Sequence, residues 1–216
     1  MANAYPLEHS APVSSLSVDS RATFINRTYQ HLLGAIVAFA AIEVFLFTSG
    51  IAERMAAAML GVNWLLILGG FVVVSWLATR TALSSASLGA QYAALAGFVV
   101  AEAIIFVPIL YIANQMASGM IQSAAMVTLL GFAGLTAIAF YTRKDFSFLG
   151  GVLRWGGLLA IVLIVAGAIF GFHLGTFFSV AMVGLAGASI LWDTSNVLHH
   201  YPEDRYVGAA LQLFAS

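Results

Sequence analysis

Cysteine is missing from all 216 residues, which excludes disulfides, thiolate metal ligands and thiol nucleophiles together. Charge is scarce too. Eight Lys+Arg stand against nine Asp+Glu, a formal net charge of −1, so the chain carries no basic field of the kind that binds nucleic acid. Also missing are an HExxH zinc motif, a glycine-rich phosphate loop, and any Ser, His and Asp order that suggests a triad. The sequence therefore predicts no enzyme, no catalytic residue, no cofactor and no resident metal.

What is present is apolar. Hydrophobic residues make up 62% of the chain and charged residues 8%, with a mean hydropathy of +0.99; a chain of this composition aggregates in water and belongs in a lipid bilayer. Residues 1–20, with Pro6, Pro12 and several Ser, lack both the basic start and apolar core of a secretory signal and the Arg-rich pattern of a transit peptide. They read as a disordered leader, and residues 21–216 as a single transmembrane domain. The lack of a transit pattern leans toward a bacterial inner membrane.

A bilayer core of about 30 Å takes roughly 20 apolar helical residues, because only a helix satisfies its own backbone N–H and C=O groups in lipid. That ruler places spans at about 31–51, 55–79, 88–112, 119–141, 148–172 and 174–198. Glu53 and Arg54 mark a tight turn between the first two. Residues 206–216 are apolar but only about 16 Å long as a helix, either a re-entrant segment or the first part of a seventh span; the second reading is favoured. Seven of the eight basic residues, all but Arg54, flank the spans on the N-terminal side, which predicts a cytoplasmic N-terminus. Gly167 with Gly171, and Gly184 with Ala188, have the small-residue spacing of closely packed membrane helices.

Three carboxylates fall at membrane depth, where a charge must be paired, hydrated or protonated. Glu43 and Glu102 each fit either an ion pathway or a neutral acid donating one hydrogen bond to a neighbouring helix. Asp193 is the sharper candidate: Ser189, Asp193, Asn196 and His200 recur at helical spacing as one polar stripe. Arg80 ends the second span at the same depth, so an Arg80–Asp193 ion pair is geometrically possible, as a gate or as a static tether. The run His199-His200-Tyr201-Pro202-Glu203-Asp204 reads as a solvated interfacial loop, because adjacent His side chains diverge and make a poor metal site.

The chain resembles the Bax inhibitor-1 family, particularly its bacterial YccA-like branch. The resemblance rests on Arg27-Thr28-Tyr29-Gln30-His31-Leu32, Phe106-Val107-Pro108-Ile109-Leu110, the loop Thr142 to Gly151, the sixth-span motif Leu191-Trp192-Asp193-Thr194-Ser195-Asn196, and Tyr206 to Phe214. It implies an all-α membrane fold, six helices around a seventh, with the seventh incomplete here. It also implies a pH-modulated calcium leak in which two aspartates share a proton beside an arginine latch. Asp193 matches the first aspartate and Arg80 approximately the latch, but the second position falls on Ser216. A single acid beside a serine lacks the mutual repulsion that tunes such a pair. The branch is associated instead with restraining a membrane-embedded, ATP-dependent protease. The function expected is therefore a calcium leak gated near Asp193 and Arg80, with Ca2+ as cargo; the alternative is a non-transporting modulator that binds such a protease or a stress-response partner, with residues 1–20 as its handle.

Overall fold

The computed structural model describes residues 13–84, 87–117, 119–142 and 146–216, without the side chains of 83 and 84. Arg143, Lys144 and Asp145, expected to close the fourth span, lie outside the described residues. All the regular structure described is helical: α1 (Val18–Thr48), α2 (Ile51–Leu60), α3 (Trp64–Ser84), α4 (Leu88–Met116), α5 (Met120–Thr142), α6 (Leu149–Phe170), α7 (Gly175–His200) and α8 (Tyr206–Ala215), with short 3-10 turns at Val13–Ser15 and Glu203–Arg205. Six of these helices, α1 and α3 to α7, are long and apolar enough to cross a membrane.

The N-terminal boundary departs from expectation. Residues 13–20, assigned to the disordered leader, are ordered and docked. Ser17 caps α1, its Oγ accepting from the Ser20 N–H at 3.2 Å. Ahead of it, the Val13 N–H donates to the Tyr201 carbonyl at 2.8 Å, and the Val13 side chain is fully buried. Ser14 Oγ donates to the His199 carbonyl at 2.9 Å, and Arg21 closes the turn onto the Ser14 carbonyl at 2.7 Å. These bonds clip the chain to the end of α7. They draw on backbone groups that no hydropathy pattern displays.

The expected second span, 55–79, is two helices. α2 is only 10 residues, about 15 Å, and lays Ala52 and Ala56 against Val107 of α4. Glu53 and Arg54 lie in its first turn rather than in a loop. The break falls at Gly61-Val62-Asn63, where the Asn63 Oδ1 accepts from the Leu65 N–H at 2.9 Å and starts α3. Asparagine offers a side-chain acceptor to the orphaned N–H groups of a helix start, so the chain stops and restarts here despite its apolar flanks.

The small-residue pairs also act differently from their spacing. Gly171 has φ 71° and its N–H donates to the Gly167 carbonyl at 2.9 Å: it is the left-handed cap of α6, where glycine is the unstrained choice. A Cβ on Gly184 would meet nothing within 4 Å, whereas one on Gly187 would meet Leu135 of α5 at 3.4 Å. The close approach of α5 to α7 is therefore at Gly187.

α8 occupies the middle of the bundle. Val207, Ala209, Ala210 and Leu211 are fully buried. Val207 and Leu211 meet Ala35 of α1, Ala78 and Ala82 of α3, and Phe98 of α4. Ala209, Ala210 and Leu213 meet Phe24 and Leu32 of α1, Val197 of α7 and the docked Val13. α5 packs mainly on α7 and α4, and α6 on α7.

Candidate functional site

Asp193 sits six residues past Gly187, on the part of α7 that faces α8, and is 1% exposed. A carboxylate in such a place needs donors, since burying an unpaired charge costs several kcal/mol. Three converge on it. Ser189 Oγ, one turn earlier on α7, donates to Oδ2 at 3.2 Å; Gln212 Nε2 of α8 donates to Oδ1 at 2.9 Å; and the Ser216 hydroxyl, ending α8, donates to Oδ2. Ser216 Oγ is also 3.0 Å from the Gln212 carbonyl. The seat thus accepts either protonation state. With Asp193 ionised, Ser216 donates to it; with Asp193 protonated, its O–H donates to Ser216 Oγ, which turns to the carbonyl.

The geometrically possible Arg80–Asp193 pair is not formed. Arg80 is exposed, with its guanidinium over the Trp76 ring at 5.2 Å from the centroid, and no ion pair joins it to Asp193 among the described residues. Counting residues set the two at one depth but could not set the directions in which they point. Trp76, one turn before Arg80, supplies a cation–π contact that needs no movement across the bundle.

The polar stripe divides along α7. Ser189 and Asp193 face α8. Asn196 and His200 line a cleft against the start of α6 instead. Between them Ser195 Oγ accepts the Phe146 N–H at 2.9 Å and the His199 ring donates to the Ser195 carbonyl at 2.8 Å, which ties the segment entering α6 to α7. The expected solvated loop is only partly so: Tyr201 is 7% exposed and belongs to the core. Burial raises the pKa of its phenol far above the ordinary value, and the charge of Asp193 adds to the rise.

Glu43 and Glu102 stand apart from this seat. Glu43 on α1 is buried with both carboxyl oxygens unpartnered, and Glu102 on the adjacent α4 is half-buried with Oε2 unpartnered. Neither is among the groups that hold Asp193.

Two features escaped sequence reasoning. Gln212 is a neutral side chain on a helix remote in sequence, visible only as part of a motif. The second is a cluster at His31, whose Nδ1 lies 2.7 Å from the Arg27 carbonyl and whose Nε2 lies 2.7 Å from the Tyr92 hydroxyl. The carbonyl can only accept, so Nδ1 donates and a neutral ring accepts from Tyr92 at Nε2. The same ring packs on Tyr206, over which Arg27 also lies. The cluster fastens the start of α8 to α1 and α4.

A family model described as "Inhibitor of apoptosis-promoting Bax1" matches residues 21–216. The modulator of FtsH protease YccA of Escherichia coli (strain K12) is 32% identical over 109 residues, 48% of this chain and 48% of that protein. The inner membrane protein YccA of Escherichia coli O6:H1 aligns with the same identity and coverage. Bax inhibitor 1 of Schizosaccharomyces pombe is 35% identical over 102 residues, 44% of this chain and 36% of that protein. The chain spans about half the length of the curated relatives it matches, or less. No solved structure matches.

Proposed function

The chain belongs to the Bax inhibitor-1 family of membrane proteins, and from that premise we propose that it is a non-transporting modulator that binds a membrane-embedded, ATP-dependent protease in a bacterial inner membrane, its N-terminus on the cytoplasmic side. The observation that carries this reading is the seat of Asp193. A proton-sharing gate needs a second acid and a latch. Here a hydroxyl, Ser216, and an amide, Gln212, occupy the places around the carboxylate, and Arg80 is engaged by Trp76. Such a seat fastens α7 to α8. The name of the Escherichia coli relative, a modulator of FtsH protease, supports the same reading.

A calcium leak is the second reading, favoured by Glu43, whose two oxygens are buried without a partner at membrane depth. One pair of measurements separates the two. The full chain is expected to co-purify from bacterial membranes with an FtsH-class protease, and to give no more calcium entry than protein-free vesicles when reconstituted in dye-loaded liposomes. Flux that Asp193→Asn changes, without co-purification, reverses the assignment. A test of the leader as handle removes residues 1–12 only, because residues 13–20 are part of the bundle.

A further inference from the structure

At the end of the bundle where α6 starts and α7 finishes, a cleft of about 470 Å³ opens between the two helices. Arg154, Trp192, Asn196 and His200 line it, and among the described residues no carboxylate does. Among the described residues none of these four side chains has a hydrogen bond or ion pair within the protein. Arg154 is exposed and Trp192 and Asn196 are part-buried. The indole is set by Gly150: a Cβ there would lie 2.9 Å from Trp192 Nε1, so only glycine leaves the ring its place. The cleft thus gathers a guanidinium, an indole N–H, an amide and an imidazole, which is donor chemistry suited to a phosphate oxyanion.

The surface leading away from the cleft indicates the source of that phosphate. Phe148, the cap residue of α6, and Val152, Trp155, Leu159 and Val162 within it follow one another at i, i+4, i+7, i+11 and i+14 on one continuous face, each more than half exposed. Phe148 is itself a cleft residue. Trp155 adjoins Arg154, as an amphipathic aromatic at headgroup level does, and the aliphatic residues extend where acyl chains lie. A free phosphate would use the cleft and leave this stripe unconnected with it; a phospholipid uses both. With a cation and, among the described residues, no acid lining the site, the headgroup favoured is anionic rather than a choline-bearing zwitterion.

We propose that the α6–α7 cleft binds the phosphate of an anionic phospholipid through Arg154 and Trp192, with Asn196 and His200 at the rest of the headgroup and the acyl chains along α6.

The test is native mass spectrometry of the full chain in detergent, titrated with phosphatidylglycerol, phosphatidylcholine, or phosphatidylglycerol against a large molar excess of inorganic phosphate. Wild type is expected to retain phosphatidylglycerol in preference to phosphatidylcholine. Arg154→Gln should bind it about tenfold or more weakly, the size of losing one charge-assisted hydrogen bond. Arg54→Gln, in the separate helix α2, should leave binding unchanged. Arg154 is exposed, so its replacement leaves the core intact; Gly150→Ala, which displaces the indole, should weaken binding by an independent route. Equal retention by wild type and Arg154→Gln overturns the site, and equal retention of the two lipids overturns the anionic headgroup. Displacement by inorganic phosphate overturns the lipid and leaves a free-phosphate site.

Discussion

Asp193 is bonded from two helices, and that is the central fact at the scale of single residues. Ser189 reaches it from its own helix; Gln212 and Ser216 reach it from α8. Gln212→Ala removes one donor and leaves Oδ1 buried without it, so it should destabilise the protein by roughly 1–3 kcal/mol, read as a lower thermal midpoint in detergent. A midpoint equal to wild type would mean that Asp193 does not depend on the amide. Asp193 and Ser189 were legible in sequence, since a carboxylate in an apolar run and a serine one turn away stand out on any helical projection. Gln212 was not, because a neutral amide on another helix has no periodic relation to them. Arg80 shows the complementary failure: residue counting fixes height along the membrane normal, while the partner of a long side chain depends on its direction around the helix.

At the scale of elements, most helices could be drawn from hydropathy and their ends could not. The second apolar run shows why. A ruler of about 20 residues passes over Gly61-Val62-Asn63 because its mean hydropathy stays high, yet Asn63 supplies the acceptor that starts α3. Asn63→Ala should therefore cost about 0.5–2 kcal/mol, as loss of a helix cap does, and thermal unfolding with a helix-sensitive readout measures it. The docked start of the chain is the other instance. Val13 looks like any residue of a polar leader, but the Tyr201 carbonyl and the pocket around Phe24 and Val197 hold it. Those partners come from opposite ends of the sequence, which local reading does not bring together.

For the whole molecule, the unequal packing around α8 sets where substitutions matter. Leu211 is fully buried between α1, α3 and α4, while Leu130 of α5 is 66% exposed and faces the position of lipid. Leu211→Ala should cost roughly 2–5 kcal/mol through the cavity it leaves. Leu130→Ala should stay within about 0.5 kcal/mol, and denaturant titration in mixed micelles compares them. Similar losses at the two sites would contradict the central placement of α8. The membrane class, the absence of thiol chemistry and the six long apolar helices were determined by the sequence alone, because composition and run length act through solvation of the chain and need no partner. The arrangement around Asp193, the division of the polar stripe between α8 and α6, the docked start and the cleft at Arg154 were decided only by the tertiary structure. Each depends on which helix stands beside which, and at what rotation, and in a bundle of uniformly apolar faces the hydrophobic pattern that would encode that rotation is nearly absent.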